Sequence, residues 1–133
     1  MNIHDVPAIE VPVGACRLEM MFETQMELIE KYMEIEKMPP LPVSVHTAEG
    51  QKWLKDFAWR ITEELGEAMN CLKNKPWKQT QMPTDEDHFW EEMADAVHFL
   101  IELFIIGGMS AEDFFQLYYR KSQVNKFRQR SKY

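Results

Sequence analysis

The stretch from His88 to Ile106, HFWEEMADAVHFLIELFII, constrains this chain more than any other. Wound as an α-helix at about 100° per residue, it gathers His88, Glu91, Glu92, Asp95, His98 and Glu102 into a stripe roughly a third of the circumference wide. The rest of the wheel is Met93, Ala94, Ala96, Val97, Leu100, Ile101, Leu103, Phe104 and Ile105. A surface helix needs an apolar stripe of only ~100°, so this one should be covered on most sides by other helices. Its acids then face either water, as on an ordinary amphipathic helix, or something specific. A second acid pair at the same spacing, Glu64 and Glu67, favours a specific partner.

The surrounding sequence supplies the other helices. Residues 1–16, with Pro7, Pro12 and Gly14, read as an irregular arm whose apolar residues could pack on a partner subunit, and residues 17–133 as one domain. Leu18, Met21, Phe22, Met26, Ile29, Tyr32 and Met33 recur at three- and four-residue steps between Arg17 and Lys37, predicting a helix that the prolines at 39, 40 and 42 stop. Thr47 is placed to cap a second helix running to about Lys73, in which Gly66 costs about 1 kcal/mol relative to Ala and implies close helix packing. Thr84 with Asp87 predicts the start of the central helix, Gly107-Gly108 its end, and Ser110 with Asp113 the start of a last helix. Strand-like alternation is confined to short stretches such as Leu41 to Val45. The expected fold is an all-α bundle of four to five helices, assembled as a dimer because the apolar central helix has more surface to cover than one chain readily supplies.

A formal charge of −7 over 133 residues argues against nucleic acid or an anionic membrane as the main partner, since both need clustered Lys and Arg. Cys16 and Cys71 lack metal-ligand spacing and read as reduced thiols. The N-terminus has no secretory pattern, and the run Phe99–Met109 carries Glu102 and is too short to span a bilayer. A soluble, cytoplasmic protein is expected.

A three-residue step sets two side chains about 60° apart on one helix face, so Glu64 with Glu67 and Glu92 with Asp95 can each grip one ion. Two such helices packed antiparallel bring four carboxylates together, and these repel unless cations lie between them. Hard oxygen donors suit Mg²⁺, with Mn²⁺ as an alternative. A di-iron bundle would use Glu-x-x-His on two helices. This chain offers only Asp85-x-x-His88 and Asp95-x-x-His98 in one segment, which disfavours iron. Lys121, Asn125 and Arg128 share one face of the last helix. That face is either a solvated helix end or, combined with a metal-binding quartet, a clamp for a polyphosphate.

Glu64-x-x-Glu67, twenty-four residues, then Glu92-x-x-Asp95 is similar to the defining pattern of the all-α nucleoside triphosphate pyrophosphatases, which include MazG-like proteins and the dimeric dUTPases. Lys75-Pro76-Trp77, Asp95-Ala-Val-His98-Phe99 and the closing Tyr118-x-x-Lys121-x-x-Val124-Asn125-x-Phe127-Arg128-Gln129-x-x-x-Tyr133 resemble the dimeric dUTPase branch, over roughly residues 18 to 133. The resemblance implies Mg²⁺ on Glu64, Glu67, Glu92 and Asp95, and a water oriented or deprotonated by Glu64 or by Glu63 beside it. It also implies phosphate and sugar contacts from Lys121, Asn125 and Arg128, and a base pocket of Gln25, Trp77, His98 and Phe99. Each pocket residue has a plain alternative: Phe99 as core, His98 as a satisfied buried imidazole, Trp77 as a loop anchor, Tyr133 as a tack for the tail.

One departure concerns specificity. The family pairs a Gln with an Asn to read uracil; here Gln25 matches, but Ile29 stands in the Asn position. Discrimination at the pyrimidine edge should weaken accordingly. The expected activity is Mg²⁺-dependent hydrolysis of dUTP to dUMP and pyrophosphate. The alternatives are a relative acting on another nucleotide, such as dCTP or a damaged base, and a bundle that binds nucleotide or a partner without catalysis.

Overall fold

A computed structural model describes residues 1–131, so Tyr133 lies outside the described residues. After a single 3-10 turn at Ile3–Asp5 the chain forms α1 (Arg17–Ile35), α2 (Ala48–Asn70), α3 (Glu86–Ile106) and α4 (Ala111–Arg130). The described residues contain no strand, and the fold is all-α. No single helix among them is long and apolar enough to cross a membrane, and α3 and α4 meet at a bend of 107°.

Local chemistry sets most of the helix ends. Thr47 accepts from the Gly50 amide at 3.0 Å and starts α2. Ser110 and Asp113 form a reciprocal capping box with two 3.1 Å bonds and start α4. At α3 the expected Thr84 cap is replaced by Asp85, whose carboxylate accepts from the His88 amide at 3.1 Å. Asp87 is left free to bind His4 Nε2 at 2.8 Å, tying the N-terminal arm to the start of α3. The first helix ends two residues earlier than expected, because Lys37 takes a left-handed φ of 54° and turns the chain before the prolines act.

Phe57 and Ile106 meet Ile29 in a cluster closed by Met38 and Val43, with Trp53, Leu54, Phe99 and Leu103 packed around it. The proline connector is thus part of the core, and the Val43 amide donates to the Ile106 carbonyl at 2.8 Å. A second cluster of Phe22, Ile101 and Ala111, backed by Phe104 and Phe114, seats α4. Arg60 holds α1 to α2, reaching Glu36 at 2.5 Å and Asp56 at 2.7 Å while lying over the Phe57 ring. Cover of the central helix is less complete than its composition suggests: Val97 is 40% and Leu100 38% exposed.

The close helix packing expected at Gly66 is absent, since a Cβ there meets open space. Gly50 is the tight position instead: a methyl there collides with the Ser44 backbone carbonyl. Gly50→Ala is therefore expected to lower stability by about 2 kcal/mol or more in urea unfolding. Gly66→Ala, in an open helix interior, should raise it by about 0.5–1 kcal/mol. Equal effects of the two substitutions would contradict this packing.

Candidate active site

The paired acids of α2 and α3 face one another as their spacing requires. Carboxylate oxygens of Glu64, Glu67 and Glu92 all lie within 4.8 Å of one another. Three such groups repel one another when ionised, and a cation between them would relieve that repulsion. Burial is the largest cause holding the Glu64 carboxyl up at about 7, followed by a hydrogen bond with Glu92 and the charges of Glu67, Asp95 and Glu92. Glu67 is also raised, first by its hydrogen bond with Glu92. Glu92, 8% exposed, is thus the shared partner of both α2 acids, and His88 Nε2 approaches its Oε1 at 3.5 Å. The cluster contains only oxygen donors among the described residues, a donor set that fits Mg²⁺ or Mn²⁺.

Asp95 stands beside the three rather than within them. Its charge acts on Glu64, its Oδ1 lies 3.5 Å from His98 Nδ1, and it lines the same cavity as Glu64. Glu63, one residue from Glu64, is exposed and belongs neither to the cluster nor to that cavity.

The cavity, about 300 Å³, opens between three helices. Gln25, Leu28 and Tyr32 line it from α1, Glu64 from α2, and Asp95, His98, Phe99 and Glu102 from α3. Three of the four expected base-binding residues, Gln25, His98 and Phe99, therefore converge on a space that begins at the acid cluster. Phe99 also packs on the core, so its two readings are compatible. The His98 side chain is 54% exposed and is not a buried imidazole. Beside this space, Ile9 and Val11 of the arm lie over Met20, Met21, Gln25 and Ile101, forming an apolar cavity of about 370 Å³.

The chain is similar to a dCTP pyrophosphatase of Enterobacteria phage LZ5, with 30% identity over 151 aligned positions that take in 96% of this chain and 83% of the relative. The chain belongs to the nucleoside triphosphate pyrophosphatase family. No family model matches it, and no solved structure does.

Two groups of expected site residues lie away from this pyrophosphatase's cavity. Lys121, Asn125 and Arg128 are exposed on the distal half of α4, which contributes no lining residue. Trp77 is 76% exposed in the α2–α3 loop, with Lys75 Nζ 5.3 Å from its ring centroid. Ile29, standing where an amide was expected, is fully buried in the core and does not line the cavity.

The residue that sequence reasoning passed over is Glu102. It was visible in the polar stripe of α3 but carried no assigned role. The carboxylate is 2% exposed, and its Oε1 accepts from Gln25 Nε2 at 3.1 Å. Burial pushes it up to about 7, against the lowering effects of Gln25 and Arg60. An acid flanked by Ile101 and Leu103 on a helix this apolar was the available signal.

Proposed function

We propose that this protein hydrolyses a deoxynucleoside triphosphate to the monophosphate and pyrophosphate, with dCTP as the preferred substrate, acting on the cytoplasmic nucleotide pool. The observation that carries this reading is that Glu64 belongs both to the acid cluster and to a cavity large enough for a pyrimidine nucleoside. The phage relative's name supports a cytosine nucleotide. Glu64, Glu67 and Glu92, with Asp95 beside them, would hold Mg²⁺, or Mn²⁺ in its place. Bound Mg²⁺ supplies charge neutralisation for the polyphosphate. Glu64 orients the attacking water and takes its proton, a role that fits it better than exposed Glu63 because Glu64 alone of the two faces the cavity. His98 and Phe99 border the base and sugar.

A second copy of the chain completes the site in this proposal. Along its length α4 presents Phe115, Tyr119, Val124 and Phe127 to the outside, and α3 presents Val97 and Leu100. Covering these faces in a homodimer would bring one protomer's Lys121, Asn125 and Arg128 toward its partner's phosphates.

dUTP is the second reading, favoured by Gln25, Lys75-Pro76-Trp77 and the motif on α4. A Mg²⁺-supplemented panel of dCTP, dUTP, dTTP and dATP, read as pyrophosphate release, decides between them. The expected result is dCTP ahead of dUTP by about tenfold or more in kcat/KM. dUTP turned over as fast or faster returns the assignment to the dUTPase reading, and no turnover of any of the four favours a non-catalytic binding module.

A further inference from the structure

Among the described residues one buried side-chain polar atom has no hydrogen-bond partner, Glu102 Oε2. It belongs to a side chain 2% exposed that lines the cavity between α1, α2 and α3. Its other oxygen is taken by Gln25 Nε2 at 3.1 Å. An ionised carboxylate only accepts hydrogen bonds, so Glu102 fixes the Gln25 amide with its NH₂ group inward, and that group retains a second hydrogen. The pair therefore offers two things together: an unused acceptor on Glu102 and an unused donor on Gln25. A buried acceptor without a partner is costly, and a ligand that supplies an N–H gains what the empty pocket lacks.

We propose that Glu102 and Gln25 are the base-reading pair of this cavity and select a base with an exocyclic amine beside a ring-nitrogen acceptor, which among pyrimidines is cytosine. This deepens, and rests on, the pyrophosphatase reading above. Cytosine would donate its N4 hydrogen to Glu102 Oε2 and accept from Gln25 at N3. Uracil reverses both groups, setting O4 against the carboxylate oxygen and N3–H against the amide hydrogen. Each reversal leaves buried polar groups unpaired, the situation in which polar pockets discriminate most strongly. Recognition of cytosine thus needs no amide at position 29, where the fully buried Ile29 serves the core.

The test measures binding to the whole chain at pH 8, above the value of about 7 to which burial pushes Glu102, using the non-hydrolysable α,β-imido analogues of dCTP and dUTP with Mg²⁺. Wild type is expected to bind the dCTP analogue about tenfold or more tighter. Glu102→Gln puts an amide donor where Oε2 stood, so the dCTP analogue should weaken by about 10- to 100-fold while the dUTP analogue holds or gains, inverting the preference. Gln25→Leu serves as a second variant and should bring the ratio toward one. Equal or better binding of the dUTP analogue by wild type overturns the proposal without any variant. So does an equal loss for both analogues in variants whose helical circular dichroism is intact, since a merely structural role predicts that pattern. Binding does not require turnover: discrimination without pyrophosphate release would reject the enzyme reading alone, and turnover with an unchanged binding ratio would reject the base-reading pair alone.

Discussion

Glu92→Gln is expected to reduce pyrophosphate release by about 10³-fold or more while leaving the fold intact. Glu92 is the most buried of the three clustered acids and the hydrogen-bond partner of both Glu64 and Glu67. Replacing its carboxylate with an amide removes one of three negative charges that would hold the divalent ion, and leaves the size of the side chain unchanged. The same change relieves repulsion in the ion-free protein, so its thermal stability should stay level or rise. Lost activity with undiminished stability is the signature of a functional acid; a structural one loses both together. Glu63→Gln offers the contrast, because that residue is exposed and outside the cluster, and its kcat is expected to fall less than about tenfold. Wild-type release rates in Glu92→Gln would sink the catalytic assignment of the cluster.

What was legible in the sequence was what neighbouring residues settle among themselves. Ser110 and Asp113 cap α4 because both partners lie within one turn, and their spacing is enough to read it. The facing acid pairs were legible for a similar reason: a three-residue step fixes the face, and a hairpin of two helices does the rest. Errors began where a distant residue decides. Gly66 looked like a close-packing site, but the neighbour that demands glycine is Ser44, and it presses on Gly50. The missing amide at Ile29 was legible, whereas its place in the core, set by a rotation of α1 that leaves Gln25 at the cavity, was not. Glu102 was one of four acids on a stripe of six polar residues, and only the arrival of Gln25 from α1 distinguishes it. Lys121, Asn125, Arg128 and Trp77 are distinguished by a motif, and a single chain does not bring them to the cavity.

Mg²⁺ is expected to raise the melting temperature strongly at pH 8 and weakly near pH 5. Glu64 in the folded protein titrates at about 7 against an ordinary 4.5, and Glu67 is shifted the same way. The folded state therefore holds a proton that the unfolded chain has released between about pH 4.5 and 7. Ion-free stability falls as the pH rises through that window, and above it the full repulsion of the cluster is present. A divalent ion takes the place of that proton. At a concentration near 100 times its dissociation constant it contributes about 2.7 kcal/mol, which for a domain of this size corresponds to a rise of roughly 5–10 °C. Below about pH 5 protons compete for the same oxygens and the gain shrinks. Calorimetric titration at pH 7 should accordingly register a net release of protons on Mg²⁺ binding, which shrinks at pH 8. Glu102 is pushed to about 7 by burial rather than by the cluster, so its share of the pH dependence should persist in Mg²⁺ alone. Glu92→Gln should abolish the Mg²⁺-dependent part and leave that remainder. A melting temperature at pH 8 indifferent to Mg²⁺ in the wild type would mean that the three carboxylates meet for some purpose other than holding an ion.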